Sequence, residues 1–182
     1  RDVKFVVPSA ALKELEKILG ETDDPAAFTL GRKHILFEVG AVTLVCRILE
    51  GEFLDWRRVV PDHNPILTGA NRARLTASID RASLIVTEKV KSPVRCKFGK
   101  DFAEFHTITT IGEAKDSCEL AGDGKDLEIG FNCRYLLDAL KAVPSDNVIL
   151  ELSNGLSPIV LTPPDGGRSF LYMVLPVRLK AE

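Results

Sequence analysis

Apolar positions along the chain change period several times. Val3–Val7 reads as a strand, and from Ala10 the spacing turns helical. Ala11, Leu12, Leu15, Ile18 and Leu19 share one face, Ser9 stands where a cap belongs, and Gly20 offers a stop. Short strand-like runs follow at Phe28–Leu30, Ile35–Val39 and Val42–Leu49, punctuated by Gly31 and Gly40. After a loop at Asp62–Pro65, the longest helical pattern spans Gly69–Val86, with a core stripe of Leu75, Ile79, Ala82 and Val86. Leu84 points away from that stripe. Either it meets a partner, or the helix ends near Ala82 and the chain turns into strand. Strands are expected at Val94–Phe98, Ala103–Ile111 and Ser117–Leu120, then a turn at Gly122–Lys125 and a strand at Leu127–Phe131. Asn132 caps a further helix whose stripe is Cys133, Leu136, Leu137, Leu140 and Val143, closed by Pro144. Tyr135 falls off that stripe and should be accessible. Strands at Val148–Leu152, Ser157–Leu161 and Phe170–Leu179 complete the chain.

The order strand, helix, strands thus occurs three times, with a period of roughly 60 residues and a longer middle copy. Stacked copies of one such element, with helices on one face of antiparallel sheets, give an α+β layer. Three copies is an odd number if two make a domain. With Met173 the only methionine and Arg1 at the start, the sequence reads as a piece of something longer.

Composition adds mostly exclusions. At 45% hydrophobic and 27% charged residues, the chain is an ordinary globular protein. No apolar run approaches the roughly 20 residues of a membrane helix, and Arg1-Asp2-Val3-Lys4 does not open like a signal peptide. A net charge of −2 advertises no global basic field, although a basic face can hide in a neutral total. Cys46, Cys96, Cys118 and Cys133 are scattered and read as reduced thiols, and the three histidines are isolated, without zinc spacing. No phosphate-cradling glycine loop, nucleophile elbow or paired-carboxylate constellation is found, so no cofactor, metal or catalytic residue is expected. Lys13 and Lys17 sit one turn apart, on a face that is either merely solvated or in contact with phosphate.

Gly51-Glu-Phe-Leu-Asp-Trp-Arg-Arg-Val-Val-Pro61 is neither helical nor alternating. It holds the sole Trp, paired arginines and a closing Pro, as in a connector that packs its side chains. This stretch resembles the interdomain segment of the bacterial sliding clamps, the beta subunits of DNA polymerase III. The same family is resembled by Ile129-Gly-Phe-Asn-Cys-Arg-Tyr-Leu-Leu-Asp138, by Tyr172-Met-Val-Leu-Pro-Val-Arg-Leu179, and by Asn71-Arg72 with Arg81-Ala-Ser-Leu-Ile85. The motifs follow the family's order over nearly the whole chain.

The resemblance implies a DNA-clamp fold of half-domains. Residues 1–60 would be the second half of a middle domain and residues 61–182 the last domain. It implies a homodimeric ring around duplex DNA, free of catalysis, in the bacterial cytoplasm at the nucleoid. The implied partners are the polymerase alpha subunit, the clamp loader and other proteins with clamp-binding motifs. They would dock in a groove walled by Leu54, Arg58, Val59, Asn132, Tyr135, Leu156, Pro158, Met173, Leu175, Pro176 and Val177. Leu54 stands where the family often has Pro, and Trp56 where it often has Tyr. Lys13, Lys17, Arg72, Arg74, Arg81, Arg134 and Lys141 would face phosphates, and Leu84 and Ile85 would close the ring. Two other readings stay open: a clamp-fold scaffold for protein partners alone, and a small-molecule enzyme using the cleft near Tyr135 and Arg58.

Overall fold

The computed structural model describes residues 3–20, 25–87 and 92–179. Two compact units divide the chain, Arg1–Trp56 and Arg57–Glu182.

In the first unit, helix α1 (Ser9–Leu19) precedes an antiparallel meander of β1 (Ala27–Leu30), β2 (His34–Val39) and β3 (Val42–Arg47). The expected strand at Val3–Val7 is reduced to one bridge, Val6 to Leu49. Ser9 is the first helical residue rather than the cap, because Pro8 takes the cap position without a side-chain bond. Gly20 ends the helix at φ +55, a conformation that suits a residue without Cβ. No residue of α1 is buried, despite its apolar stripe.

In the second unit, a 3-10 turn (Trp56–Arg58, its first residue closing the first unit) leads to β4 (Ile66–Asn71), α2 (Arg72–Ala82), β5 (Val94–Thr109) and β6 (Gly112–Phe131). Helix α3 (Cys133–Ala142), β7 (Asn147–Leu152), β8 (Ile159–Thr162), β9 (Tyr172–Val174) and β10 (Pro176–Val177) follow. Strand order is β10-β6-β4-β7-β8-β9, with β5 paired to β6. Helices α2 and α3 pack together over one core, which holds Leu75, Ile79, Phe98, Phe105, Phe131, Leu136, Leu140, Leu150 and Leu161. This is the expected α+β arrangement of helices on antiparallel sheet.

Both helices start directly from a strand and are capped alike. The Asn71 side chain accepts from the Arg74 N–H at 3.1 Å, and that of Asn132 from the Arg134 N–H at 3.0 Å. The Asn71 cap corrects the helix expected over Gly69–Val86. Residues up to Asn71 pair with β7 across six positions, and that ladder outweighs the local helical pattern. At the other end α2 stops at Ala82. Leu84 and Val86 lie in successive turns, their N–H groups donating to Arg81 and Ser83, rather than in a strand.

The separate strands expected between Val94 and Phe131 merge into two long ones. Asp101, Lys125 and Asp126 have φ near +60, and the register shifts between Phe98 and Phe102, so the pair bends without breaking. The turn expected at Gly122–Lys125 is part of this bend. The Asp123 carboxylate accepts from the Lys125 N–H at 2.8 Å and from Lys125 Nζ at 2.9 Å. The final strand, expected as Phe170–Leu179, is split at Leu175 into β9 and β10, which belong to opposite ends of the sheet.

Candidate functional site

The split tail organises the site. Strand β9 pairs with β8, Ile159 opposite Val174 and Val160 opposite Met173. Strand β10 pairs with β6, Pro176 opposite Phe131 and Val177 opposite Gly130. Leu175 therefore spans two strands at opposite ends of the sheet order. Extending the β8 register places it opposite Pro158, and extending the β6 register places it opposite Asn132. Alternation puts Val174 in the core and Met173, Leu175 and Val177 on the other side of the tail.

Around this strip stand Asn132, which caps α3, and Tyr135 in the first turn of that helix. Leu156 belongs to the loop before β8, which lies so close to β6 that a Cβ on Gly155 would sit 2.9 Å from the Glu128 carbonyl. The apolar members are unusually open: Tyr135 is 63% exposed, Leu156 66% and Leu175 58%. Two contacts hold the strip. The Tyr172 hydroxyl donates to the Ala142 carbonyl at 2.9 Å, fixing β9 to the end of α3. Gly130 lets β10 lie against β6, since a Cβ there would fall 2.7 Å from the Val177 carbonyl oxygen. Neither contact was foreseen from sequence; a glycine inside a strand-like run, here Gly130, is the signal that could have found the second.

Arg58 and Val59 lie in the connector at the head of the second unit, Val59 half-buried. Leu54 is an exposed residue of the first unit. The gathered surface is an open strip, whereas a cleft of about 320 Å³ lies elsewhere, between β4 and β6, lined by Gly69, Asn71, Arg74, Glu119, Asn147 and Pro164 among others.

The cationic candidates divide by their partners. On α2, Arg81 makes a two-pronged contact with Asp116, Nε to Oδ2 at 2.6 Å and a second N–H to Oδ1 at 3.0 Å. Hydrogen bonding from Arg81 holds the Asp116 carboxyl down to about 2. Arg74 reaches Glu119 at 2.9 Å, and Arg72 donates to the Ser145 carbonyl at 3.0 Å. On α3, Arg134 and Lys141 are exposed and have no ion-pair partner among the described residues. In the first unit Lys17 pairs with Glu14 at 2.6 Å, and Lys13 is exposed. Leu84 is 74% exposed beside a half-buried Ile85.

Among the described residues, no group of three or more His, Cys, Asp and Glu is placed to hold a metal, and no helix is long and apolar enough to cross a membrane. The free thiols differ in setting. Burial pushes Cys96 far up and Cys118 to about 11.

Residues 57–178 match the family described as DNA polymerase III beta subunit, C-terminal domain, and residues 1–55 match its central domain. Two curated relatives are each named a beta sliding clamp. That of Staphylococcus epidermidis is 33% identical over 95% of this chain and 46% of its own, and that of Staphylococcus aureus 32% over the same shares. A putative DNA polymerase III beta subunit from Eubacterium rectale superposes with a TM-score of 0.80 at 31% identity, over 97% of this chain and 48% of that one. The sliding clamp from Bartonella birtlesii, solved bound to griselimycin, gives 0.82 at 29%, over 96% and 47%. The chain thus spans about half the length of the relatives it matches.

Proposed function

Because the chain belongs to the DNA polymerase III beta subunit family, we propose that it is part of a sliding clamp, a processivity factor that encircles duplex DNA and tethers the enzymes acting on it. Residues 1–60 are the second half of a middle domain and residues 61–182 the last domain. The observation that carries the reading is the apolar strip of half-buried Met173 with exposed Leu175 and Val177, beside exposed Tyr135 and Leu156.

An extended peptide meets such a strip with apolar side chains, and Asn132 and Tyr135 offer polar anchors that fix its direction. Arg58 and Val59 complete the groove from the connector, with Pro158 and Pro176 as rigid walls. Its occupants are short apolar motifs of the replicative polymerase alpha subunit, the clamp loader and other DNA-handling proteins. No bond is made or broken there, and a tether needs none. The setting is the bacterial cytoplasm, at the nucleoid.

The helices carry the DNA contact. Lys13, Arg134 and Lys141 meet phosphates directly, in contacts that ignore sequence and weaken with salt, as sliding requires. Lys17, paired with Glu14, adds to the field around them. Arg72, Arg74 and Arg81 present charge already steadied by neighbours, so they shape the field more than they grip. Leu84 and Ile85 close a homodimeric ring.

The direct test is titration of griselimycin by isothermal calorimetry against the chain and its Leu175→Asp, Val177→Asp double variant. The double variant should lose binding by more than about tenfold while keeping its circular dichroism spectrum. Equal affinity would refute the groove. Retention of the whole open reading frame's product on circular but not linearised plasmid tests the ring, and retention on neither would leave a scaffold for proteins alone.

A further inference from the structure

Strand β7 carries one acidic side chain, Glu151, on the outward face that it shares with Asn147 and Ile149. In the row Leu67, Glu151, Val160, Met173, each residue is the direct cross-strand neighbour of the next, from β4 through β7 and β8 to β9. Leu150, Leu152, Ile159 and Leu161 point the other way, into the core. The row is therefore the outer face, and Met173 is its last member.

That face is partly covered. Val160 is fully buried, although it lies outside the core cluster. Asn64, from the segment that runs from the connector into β4, is only 7% exposed. Its amide Nδ2 approaches Glu151 Oε2 at 3.5 Å, and the Thr162 hydroxyl donates to Glu151 Oε1 at 3.0 Å. Asn64 Oδ1 is buried without a hydrogen-bond partner. Glu151 is thus the polar atom set on which this buried amide depends, and a buried amide left unpaired is costly.

We propose that Glu151 is a positioning residue for the groove. Through Asn64 it seats the segment just after Arg58 and Val59 on the sheet face that ends in Met173, and so sets the distance between the connector wall and the tail strip. The inference rests on the groove reading given above. Without the carboxylate, Asn64 has no partner on either side of its amide. Its side chain leaves the face, the segment 59–65 loosens, and the wall is no longer held for a ligand.

Glutamine is the informative substitution. Glu151→Gln keeps an oxygen for Thr162 and turns an N–H₂ toward Asn64, whose unpaired oxygen can then accept it after the amide rotates. Glu151→Leu removes both partners. Asn64→Asp keeps size and shape but sets carboxylate against carboxylate.

The experiment measures griselimycin affinity of the chain and of Glu151→Gln, Glu151→Leu, Asn64→Asp and Leu175→Asp, with hydrogen exchange over residues 57–65. Glu151→Leu and Asn64→Asp should bind about threefold to tenfold more weakly, with faster exchange over 57–65 and unchanged exchange in β8. Glu151→Gln should restore both readouts, which a loss of general stability would not predict. If Leu175→Asp abolishes binding while Glu151→Leu and Asn64→Asp bind as tightly as the parent, Glu151 has no such role and the groove stands. If Leu175→Asp also binds normally, the groove reading falls and this inference with it. Should Glu151→Leu fail to fold, Asn64→Asp and the glutamine variant decide the matter alone.

Discussion

Gly130→Ala tests how the tail is held. The added Cβ would lie 2.7 Å from the Val177 carbonyl oxygen and 2.5 Å from Leu179 Cδ2. The leucine side chain can turn away. The carbonyl is backbone, and it must retreat by about 0.7 Å to reach an ordinary contact of 3.4 Å. Strand β10 is anchored by only two residue pairs, one of them to Pro176, which has no N–H to donate. Moving it therefore breaks its short ladder rather than bending the long β6. The loss is one or two backbone hydrogen bonds, about 1–2 kcal/mol. An alanine also stiffens the unfolded chain, which returns about 0.4–1 kcal/mol. The net effect is modest globally, a fall of roughly 1–5 °C in Tm, but large locally. Hydrogen exchange over residues 172–179 should rise strongly, because Val177 lies in the displaced strand and Leu175 directly before it. Unchanged exchange over that segment would show that Gly130 is not what permits the tail to lie there.

Other outcomes follow from single contacts. Asp116 is held at about 2 by Arg81, so the ion pair contributes fully above the ordinary carboxylate range and is lost as pH falls toward 2. In an NMR titration, Arg81→Ala should return the Asp116 midpoint toward about 4, with little change in stability because the arginine is more than half exposed. An unmoved midpoint would refute that assignment. Leu140, fully buried between α3 and the sheet, should cost about 2–5 kcal/mol on truncation to Ala in a denaturant melt. Leu84→Ala on the isolated chain should stay within about 0.5 kcal/mol, since its side chain is three-quarters exposed.

The sequence by itself determined what depends on neighbours in the chain. The stripe of α3, its Asn132 cap and the exposure of Tyr135 all follow from a helical period, and a period is local. The family was legible for a similar reason: the connector, the Ile129–Asp138 run and the tail are contiguous motifs. Only the tertiary structure decided what depends on pairing between distant strands. Gly69-Ala-Asn71 carries the same helical pattern as the residues after it, yet β7 takes it as strand. The tail reads as one strand, but two different edges claim its two ends, and the split at Leu175 is what brings Pro158 and Asn132 to either side of it. Arg74 and Arg81 looked like free charges because their carboxylate partners lie 45 and 35 residues away. Asn64 and Glu151 are separated by 87 residues, and no local rule joins them. Hydrogen bonds and ladders of this kind form only once the chain has closed long loops, so their partners are not written in any short stretch.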